Sequence, residues 1–149
     1  MIITVRGLPA AQGSKRLVPA GGKTGGRMHT IESSKAVGPW REAVRAETQR
    51  VMEREGREQL AGAVEVILDF EMTRPKSHYR TGRNAAVLRD GAPGRPSGRP
   101  DLDKLARAVL DGLTAGGSWK DDSQVVVLMA RKIYAAAPGC RIFVTEVRG

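Results

Sequence analysis

One amphipathic helix, starting directly after Pro100, constrains this chain more than any other stretch of its sequence. Proline disfavours helical backbone at the residue before it, so Asp101 is expected at the N-cap and Asp103 in the first turn. Apolar residues recur at three- and four-residue steps and predict one buried face. They are Leu102, Leu105, Ala106, Val109, Leu110 and Leu113. Gly116 and Gly117 are expected to end the helix, which therefore packs on a core with two carboxylates at its start.

A second acidic group follows this helix. Trp119 precedes Asp121 and Asp122, and an apolar segment comes next. A purely structural interpretation exists for each acid, since Asp101 can cap a helix and Asp103 can complement its dipole. Asp121 and Asp122 can likewise form a solvated turn. That interpretation leaves unexplained why a tryptophan, paired acids and an apolar strand follow so closely after a helix that already carries two aspartates.

Length and charge limit the classes of protein to consider. The chain has 149 residues, which predicts one domain, 1–149, with a core that needs no disulfides. Its formal net charge of +9 makes nucleic acid the first partner to consider. The single cysteine, Cys140, is interpreted as a small core residue and fits a reducing cytoplasm. No membrane span or signal peptide is recognised, so we expect a cytoplasmic protein.

Hydrophobic periodicity predicts the order β-α-β-α-β-β. Strands are predicted at residues 2–6, 63–72, 125–134 and 141–147, and a long helix at residues 34–58. Ser34 can cap this first helix, and Trp40 is expected in the core. The expected fold is α/β in the α+β sense: a single compact domain whose mixed sheet packs with two main helices.

Two loops carry much of the positive charge. The glycine-rich segment after the first strand contains Gly22-Lys23-Thr24, but Leu17 stands where a phosphate-binding loop needs glycine, so we reject a nucleotide site. A mobile surface loop is favoured, with cations that can contact a DNA backbone. These cations are Lys15, Arg16, Lys23 and Arg27.

The second loop, residues 73–100, is long for so small a domain and leads directly into the first aspartates. It carries seven cations against the single acid Asp90. The cations are Arg74, Lys76, Arg80, Arg83, Arg89, Arg95 and Arg99. This composition predicts a loop that grips DNA or is partly disordered until substrate binds.

The acids suggest a metal site. Phosphodiester cleavage at neutral pH needs an activated water and neutralisation of phosphate charge, which carboxylate-bound metal ions supply. Clusters rich in aspartate and poor in histidine favour Mg²⁺ or Mn²⁺ over Zn²⁺. A bound cation also resolves a conflict, because bare carboxylates would repel the DNA that the rest of the chain attracts. The sequence leaves open whether Asp69 or Glu71, on the second predicted strand, lies near this site.

The pattern D-L-D-x-L-x-[KR]-x-x-x-D-x-L, followed by G-x-W-x-D-D-x-Q-V, resembles the RusA-type Holliday junction resolvases, which cut four-way DNA junctions. The resemblance is strong over residues 100–134 and looser at 7–16 and 74–80, where it is similar to the phage-like branch. It implies Asp101, Asp103 and Asp122 as catalytic metal ligands, with Asp121 the less certain neighbour. It further implies Mg²⁺, with Mn²⁺ as a possible substitute.

The resemblance also implies a homodimer acting on branched DNA in recombination and repair, in the cytoplasm of a bacterium or of a phage-infected host. Arg107 stands where many members have lysine; it can stabilise phosphate charge but is too basic to transfer a proton. Lys104 stands where several have asparagine. The expected DNA contacts are Lys15, Arg16, Lys76, Arg80, Arg83, Arg89, Arg99 and Lys104.

Three hypotheses remain open from the residues. The first is a Mg²⁺-dependent endonuclease selective for branched DNA. The second is a non-catalytic basic module that binds nucleic acid and uses its aspartates for caps and turns. The third is a basic subunit that binds an acidic protein surface, which explains the charge but not the acids. The apolar segments 125–129 and 142–144 can serve either the core or a dimer interface.

Overall fold

The computed structural model describes residues 1–13, 15–19, 28–32 and 35–148, with the backbone alone at 15–19 and 28–32. The strands are β1 (Ile2–Arg6), β2 (Lys15–Pro19), β3 (Met28–Glu32), β4 (Val64–Met72), β5 (Val125–Tyr134) and β6 (Gly139–Glu146). The two α-helices are α1 (Val37–Glu55) and α2 (Leu102–Ala115). Short 3₁₀ turns span Lys76–His78, Gly82–Asn84 and Asp122–Gln124.

A four-stranded mixed sheet organises the molecule in the order β1-β6-β4-β5. β4 pairs parallel with β5 and antiparallel with β6, and β6 pairs antiparallel with β1. Side chains alternate along β4, so Val66, Leu68 and Phe70 are fully buried on the helix side. The other face of the same strand carries Asp69 and Glu71. The predicted fold class, a mixed sheet with two main helices, is confirmed.

The two helices pack closely because α2 presents glycine to α1. A Cβ at Gly112 would lie 2.7 Å from Val44, and one at Gly116 would lie 2.7 Å from Thr48. Such contacts are too short for a real side chain, so glycine is required at both positions for this helix spacing. Trp40 is 4% exposed within the same core, as predicted. The packing fixes the C-terminal end of α2 against α1.

Two local features differ from the expectations, and one expectation falls outside the described residues. β2 and β3 form a two-stranded antiparallel hairpin that periodicity did not predict, because this segment has no sustained apolar alternation. α1 begins at Val37 with Ala36 at its N-cap position, while Ser34 lies outside the described residues. The predicted mobile loop with Lys23 and Arg27 also lies outside them.

Cys140 is fully buried, as expected for a core residue, and burial raises the pKa of its thiol. A thiol held protonated in this way is not a nucleophile. None of the described helices has the length and apolar character needed to cross a bilayer. The cytoplasmic location stays a prediction.

Candidate active site

The first acids lie at the N-terminus of α2. Asp101 holds the N-cap position with extended backbone (φ −69°, ψ 134°), and its carbonyl accepts the first helical hydrogen bond from Leu105 N at 3.1 Å. The cap hydrogen bond expected from its side chain is absent. The carboxylate instead turns to the Lys104 ammonium, 3.3 Å away, and stays 53% exposed. Asp101 therefore keeps an accessible carboxylate that helix capping does not use.

Asp103 and Arg107 extend this group along one face of α2. Both are exposed, and neither has a described hydrogen bond or ion pair. At about 100° per residue, Asp103, Arg107 and Thr114 point to the same side of the helix. An acid at the start of this face and a guanidinium one turn later are thus available to solvent or a ligand.

Asp122 lies at the other end of the same helix face. Its Oδ1 accepts a hydrogen bond from Trp119 Nε1 at 3.0 Å and another from Thr114 Oγ1. Trp119 is fully buried, so its indole donor is held rigidly by the core. Oδ2 accepts no hydrogen bond from any described residue. The tryptophan and threonine therefore fix one oxygen of Asp122 and leave the other free.

Asp121 has a different role from its neighbour. Its side chain accepts from Ser123 N at 2.8 Å, and Gln124 Oε1 in turn accepts from Asp121 N at 3.2 Å. This capping box closes the short turn before β5. Hydrogen bonding to Ser123 lowers the pKa of Asp121. Asp121 therefore stabilises the turn, and Asp122 is the better candidate for binding a ligand.

The structure does not bring the three predicted metal ligands together within one chain. Asp122 is bonded to Thr114, which follows Asp103 by three helical turns, or about 16 Å at about 1.5 Å per residue. Among residues 1–13 and 35–148, whose side chains are described, no group of three or more His, Cys, Asp or Glu side chains could hold a metal ion. Asp101 and Asp103 lie at one end of α2, and Asp122 lies near the other.

Asp69 and Glu71, whose relation to the site was left open, are instead bound to arginines. Asp69 is bidentate to Arg131, with Oδ2 3.1 Å from Nη2, and lies 3.5 Å from Arg141 Nη2. Glu71 pairs with Arg141 Nε at 2.9 Å and accepts a hydrogen bond from Arg6. The hydrogen bond from Arg131 lowers the pKa of Asp69. These two acids are buried and fully used by the sheet.

Comparison with known proteins places the chain in a family. The family described as Endodeoxyribonuclease RusA matches residues 7–145. The chain belongs to the RusA endodeoxyribonuclease family. It is also 28% identical over 144 residues to Uncharacterized protein YqaN of Bacillus subtilis (strain 168), which covers 97% of this chain and 94% of the relative. RusA endonucleases act on branched DNA and resolve Holliday junctions, so the first hypothesis, an endonuclease, is supported over the two non-enzymatic ones.

In this RusA-family chain, the predicted DNA contacts differ in whether the described structure already gives their charges a partner. Arg80 pairs with Asp90 at 3.1 Å, and Arg89 Nε donates to the Tyr79 carbonyl at 2.8 Å, so both also brace the loop 73–100. Three exposed cations have no described partner and are free for phosphates. They are Lys76, Arg83 and Arg99. Lys104 is engaged by Asp101, and the side chains of Lys15 and Arg16 lie outside the described part.

Sequence reasoning gave no role in the candidate site to three residues that hold its acids or the segment before them, although it singled out one of them, Trp119. Thr114 and Trp119 hold Asp122, and Lys132 on β5 donates from Nζ to the carbonyls of Gly98 at 2.6 Å and Pro100 at 3.0 Å. The tryptophan carried a signal, since it stands three residues before the acid. The threonine and the lysine carried none, because their contacts depend on how α2, β5 and the loop pack.

Proposed function

We propose that this chain is a divalent-metal-dependent endonuclease that resolves Holliday junctions and other branched DNA during recombination and repair. We further propose that it acts as a homodimer whose two active sites each combine acids from both subunits. The observation that carries the proposal is the separation of Asp122 from Asp101 and Asp103 along α2. A single chain presents two incomplete halves, and a second copy can complete both.

The residues fit a hard metal ion. Asp101 and Asp103 are exposed at a helix start, and Asp122 has a free carboxylate oxygen beside one fixed by Trp119. Oxygen donors without cysteine or histidine suit Mg²⁺, with Mn²⁺ as a substitute. When bound, the ion would lower the pKa of a water and neutralise charge on the scissile phosphate. The chain's own part is to hold these three carboxylates in place.

The exposed edge of the sheet supplies a surface for a second copy. β5 is the last strand of its sheet, so one side of its backbone is unpaired in the described structure. Four successive apolar residues on it, from Val126 to Met129, are between 41% and 57% exposed. A long apolar edge strand favours pairing with another strand. Two-fold symmetry would pair β5 with its own copy in antiparallel orientation.

That pairing would bring the two halves of each site together. α2 runs antiparallel to β5: Pro100, just before the helix, contacts Lys132, and Thr114, near its end, contacts Asp122, just before the strand. If the two-fold axis lay between Val127 and Leu128, the partner subunit's Asp122 would stand opposite Ile133, next to Lys132. Each Asp101–Asp103 group would then face the Asp122 of the other subunit.

Arg107 would act between these acids. Its guanidinium lies one turn after Asp103 on the same helix face and carries a permanent charge. It can donate hydrogen bonds to the phosphate as negative charge develops during cleavage. Because arginine does not release its proton at neutral pH, the proton transfers belong to water and not to this residue.

Subunit complementation tests the proposal. Asp103→Asn and Asp122→Asn are each expected to be inactive in Mg²⁺, because each removes a ligand from both sites of its homodimer. A mixture of the two, refolded together, forms heterodimers with one intact site. Cutting of a labelled four-way junction should recover to about a quarter of the wild-type rate, since half the dimers carry one site of two. The product should be a single nick.

A matched control separates this outcome from simple mixing. Asp101→Asn mixed with Asp103→Asn should recover nothing, because both changes damage the same half-site. If neither mixture recovers cutting although dimers form, a site shared between subunits is wrong. If all three single variants cut at near wild-type rates, the metal assignment itself is wrong, and a protein that binds junctions without cutting them would support the non-catalytic module.

A further inference from the structure

The Lys132 ammonium bonds to the backbone of the segment that precedes α2. The residue lies near the end of β5, yet both described hydrogen bonds of its ammonium go to backbone carbonyls, those of Gly98 and Pro100. These carbonyls belong to the last residues before Asp101. A lysine ammonium can donate three hydrogen bonds, and bonds that involve a charged donor are stronger than neutral ones. Lys132 thus fastens the segment that enters α2.

This fastening matters because Asp101 does not secure the helix start itself. The Asp101 side chain makes no cap hydrogen bond to the backbone N–H groups of the first turn of α2, and its described partner is the exposed Lys104 ammonium. The segment before it belongs to the loop 73–100, most of which is exposed. Motion of that loop would pass directly to the Asp101 carboxylate unless the chain were held at Gly98 and Pro100.

The same end of β5 also holds the start of the loop. The Arg74 guanidinium lies 4.1 Å above the ring centroid of Tyr134, two residues beyond Lys132, and Arg74 Nη1 donates to the Pro93 carbonyl at 2.8 Å. Cation–π contacts of this kind stabilise modestly at exposed sites. Both ends of the loop are therefore fixed to one strand, with Lys132 at the end nearer the acids.

We propose that Lys132 is a positioning residue for the metal site: by holding the carbonyls of Gly98 and Pro100, it fixes Asp101 and Asp103 where they can bind the ion. The inference rests on the proposed metal-dependent function. It assigns Lys132 neither contact with phosphate nor proton transfer. Removing a group that orients metal ligands without itself binding the metal typically lowers metal affinity about 10- to 100-fold.

Three variants test this role. Lys132→Met keeps the length of the side chain and removes its donors, and Lys132→Arg keeps donors and charge. Lys35→Met is the matched control, because it removes one lysine charge from an exposed turn far along the chain from the loop. Amide hydrogen exchange is followed without metal in the peptide 99–106, which includes the Leu105 N–H bonded to Asp101. Lys132→Met should raise exchange there about tenfold, with Lys132→Arg intermediate and Lys35→Met unchanged.

Metal binding gives the second measurement. Mn²⁺ affinity, followed by the electron paramagnetic resonance signal of the free ion, should fall at least about tenfold in Lys132→Met and recover partly in Lys132→Arg. The Mn²⁺ concentration that gives half-maximal junction cutting should rise by the same factor. The cutting rate at saturating Mn²⁺ should stay within about threefold of wild type. Junction binding in EDTA should be unchanged.

Three outcomes would overturn the assignment. Unchanged exchange in 99–106 would show that Lys132 does not hold this segment. Weaker junction binding in EDTA, together with a slope of log affinity against log salt that is lower by about one unit, would make Lys132 a DNA contact. A changed pH profile of cutting at saturating metal would make it a participant in proton transfer. If the wild-type protein itself bound no Mn²⁺ and cut no junction, the proposed function would fail, while the exchange data would still decide whether Lys132 holds the segment.

Discussion

Two groups of carboxylates in this basic chain differ in what surrounds them. Asp69 and Glu71 lie on the central strand β4, almost fully buried, and share three arginines. Asp101 and Asp103 lie at the exposed start of α2, where the nearest described cation is Lys104. The first group has its charge neutralised by the fold itself. The second keeps unused charge at the surface of a protein with a net charge of +9.

The contrast separates structural acids from acids available to a ligand. A buried carboxylate needs hydrogen-bonded cations in the protein, because water is absent. An exposed carboxylate on a DNA-binding surface repels the phosphates unless another cation bridges them. Both groups have the same chemistry, so the difference lies in the partners that the fold supplies. Exchanging Asp103 for asparagine should therefore reduce cutting and leave stability nearly unchanged. Exchanging Asp69 for asparagine should reduce stability and leave cutting nearly unchanged.

The largest expected effect is the loss of cutting in Asp103→Asn. The change removes a proposed metal ligand, so the rate of junction cutting in Mg²⁺ should fall about 10³-fold. The free energy of unfolding should change by less than about 0.5 kcal/mol, since Asp103 has no described partner and loses only its interaction with the helix dipole. Junction binding should persist or tighten, because a negative charge near DNA is gone. Cutting assays, urea unfolding and gel shifts measure the three quantities. Strong destabilisation of Asp103→Asn would contradict the distinction between structural acids and acids available to a ligand.

The matching change on β4 should act on stability instead. Asp69→Asn leaves Arg131 without a carboxylate partner and leaves Arg141 with Glu71 alone. Removing one partner of a fully buried pair costs about 3 to 5 kcal/mol, but these guanidiniums are partly in water, so we expect about 2 kcal/mol. Urea unfolding measures this cost. The cutting rate per folded molecule should remain near wild type, and a large loss of cutting with intact stability would place Asp69 in the active site.

A smaller effect is expected from the free cations of the loop. Arg83→Ala combined with Arg99→Ala should weaken junction binding about tenfold and reduce the slope of log affinity against log salt by about two, because each lost phosphate contact removes nearly one unit. Arg80→Ala with Arg89→Ala is the comparison pair, since those residues also brace the loop. If the first pair left the salt dependence unchanged, the loop would not contact DNA.

The smallest effect concerns pH. The hydrogen bond from Arg131 lowers the pKa of Asp69 below that of an unfolded aspartate, about 3.9. The folded state therefore binds fewer protons, and the pair stabilises it fully above that value and progressively less as pH falls towards the lowered pKa. The stability difference between wild type and Asp69→Asn should be constant between about pH 5 and 7 and should shrink below about pH 4. A difference independent of pH down to about 3 would contradict the pairing.

The parts of the fold with local periodicity were predictable from the sequence. α2, β1 and β5 lie where apolar spacing placed them, because burial of one face leaves a repeating pattern. The hairpin of β2 and β3 was missed, since its pairing joins segments without such a pattern. The Asp101 cap was predicted in position but not in its hydrogen bond, because the nearby Lys104 ammonium attracts the carboxylate.

The candidate site was predictable only as a set of acids. Their spacing and the tryptophan singled out Asp101, Asp103 and Asp122. Whether Asp69 belonged with them depended on strand order, because Arg131 and Arg141 face it only when β5 and β6 both flank β4. The separation of Asp122 from the other two depended on the packing of its turn against Thr114. Such tertiary contacts leave no periodic signal in the chain.

The length of α2 has a consequence for the geometry of paired cutting. In the proposed dimer, each copy of this helix connects one active site to the other, with Asp103 near its start and the residue that anchors Asp122 near its end. The helix then works as a rigid spacer that sets how far apart the two DNA strands are cut. One extra turn would move the two cuts apart by about 5.4 Å, so the tight packing of Gly112 and Gly116 against α1 also keeps that interval constant.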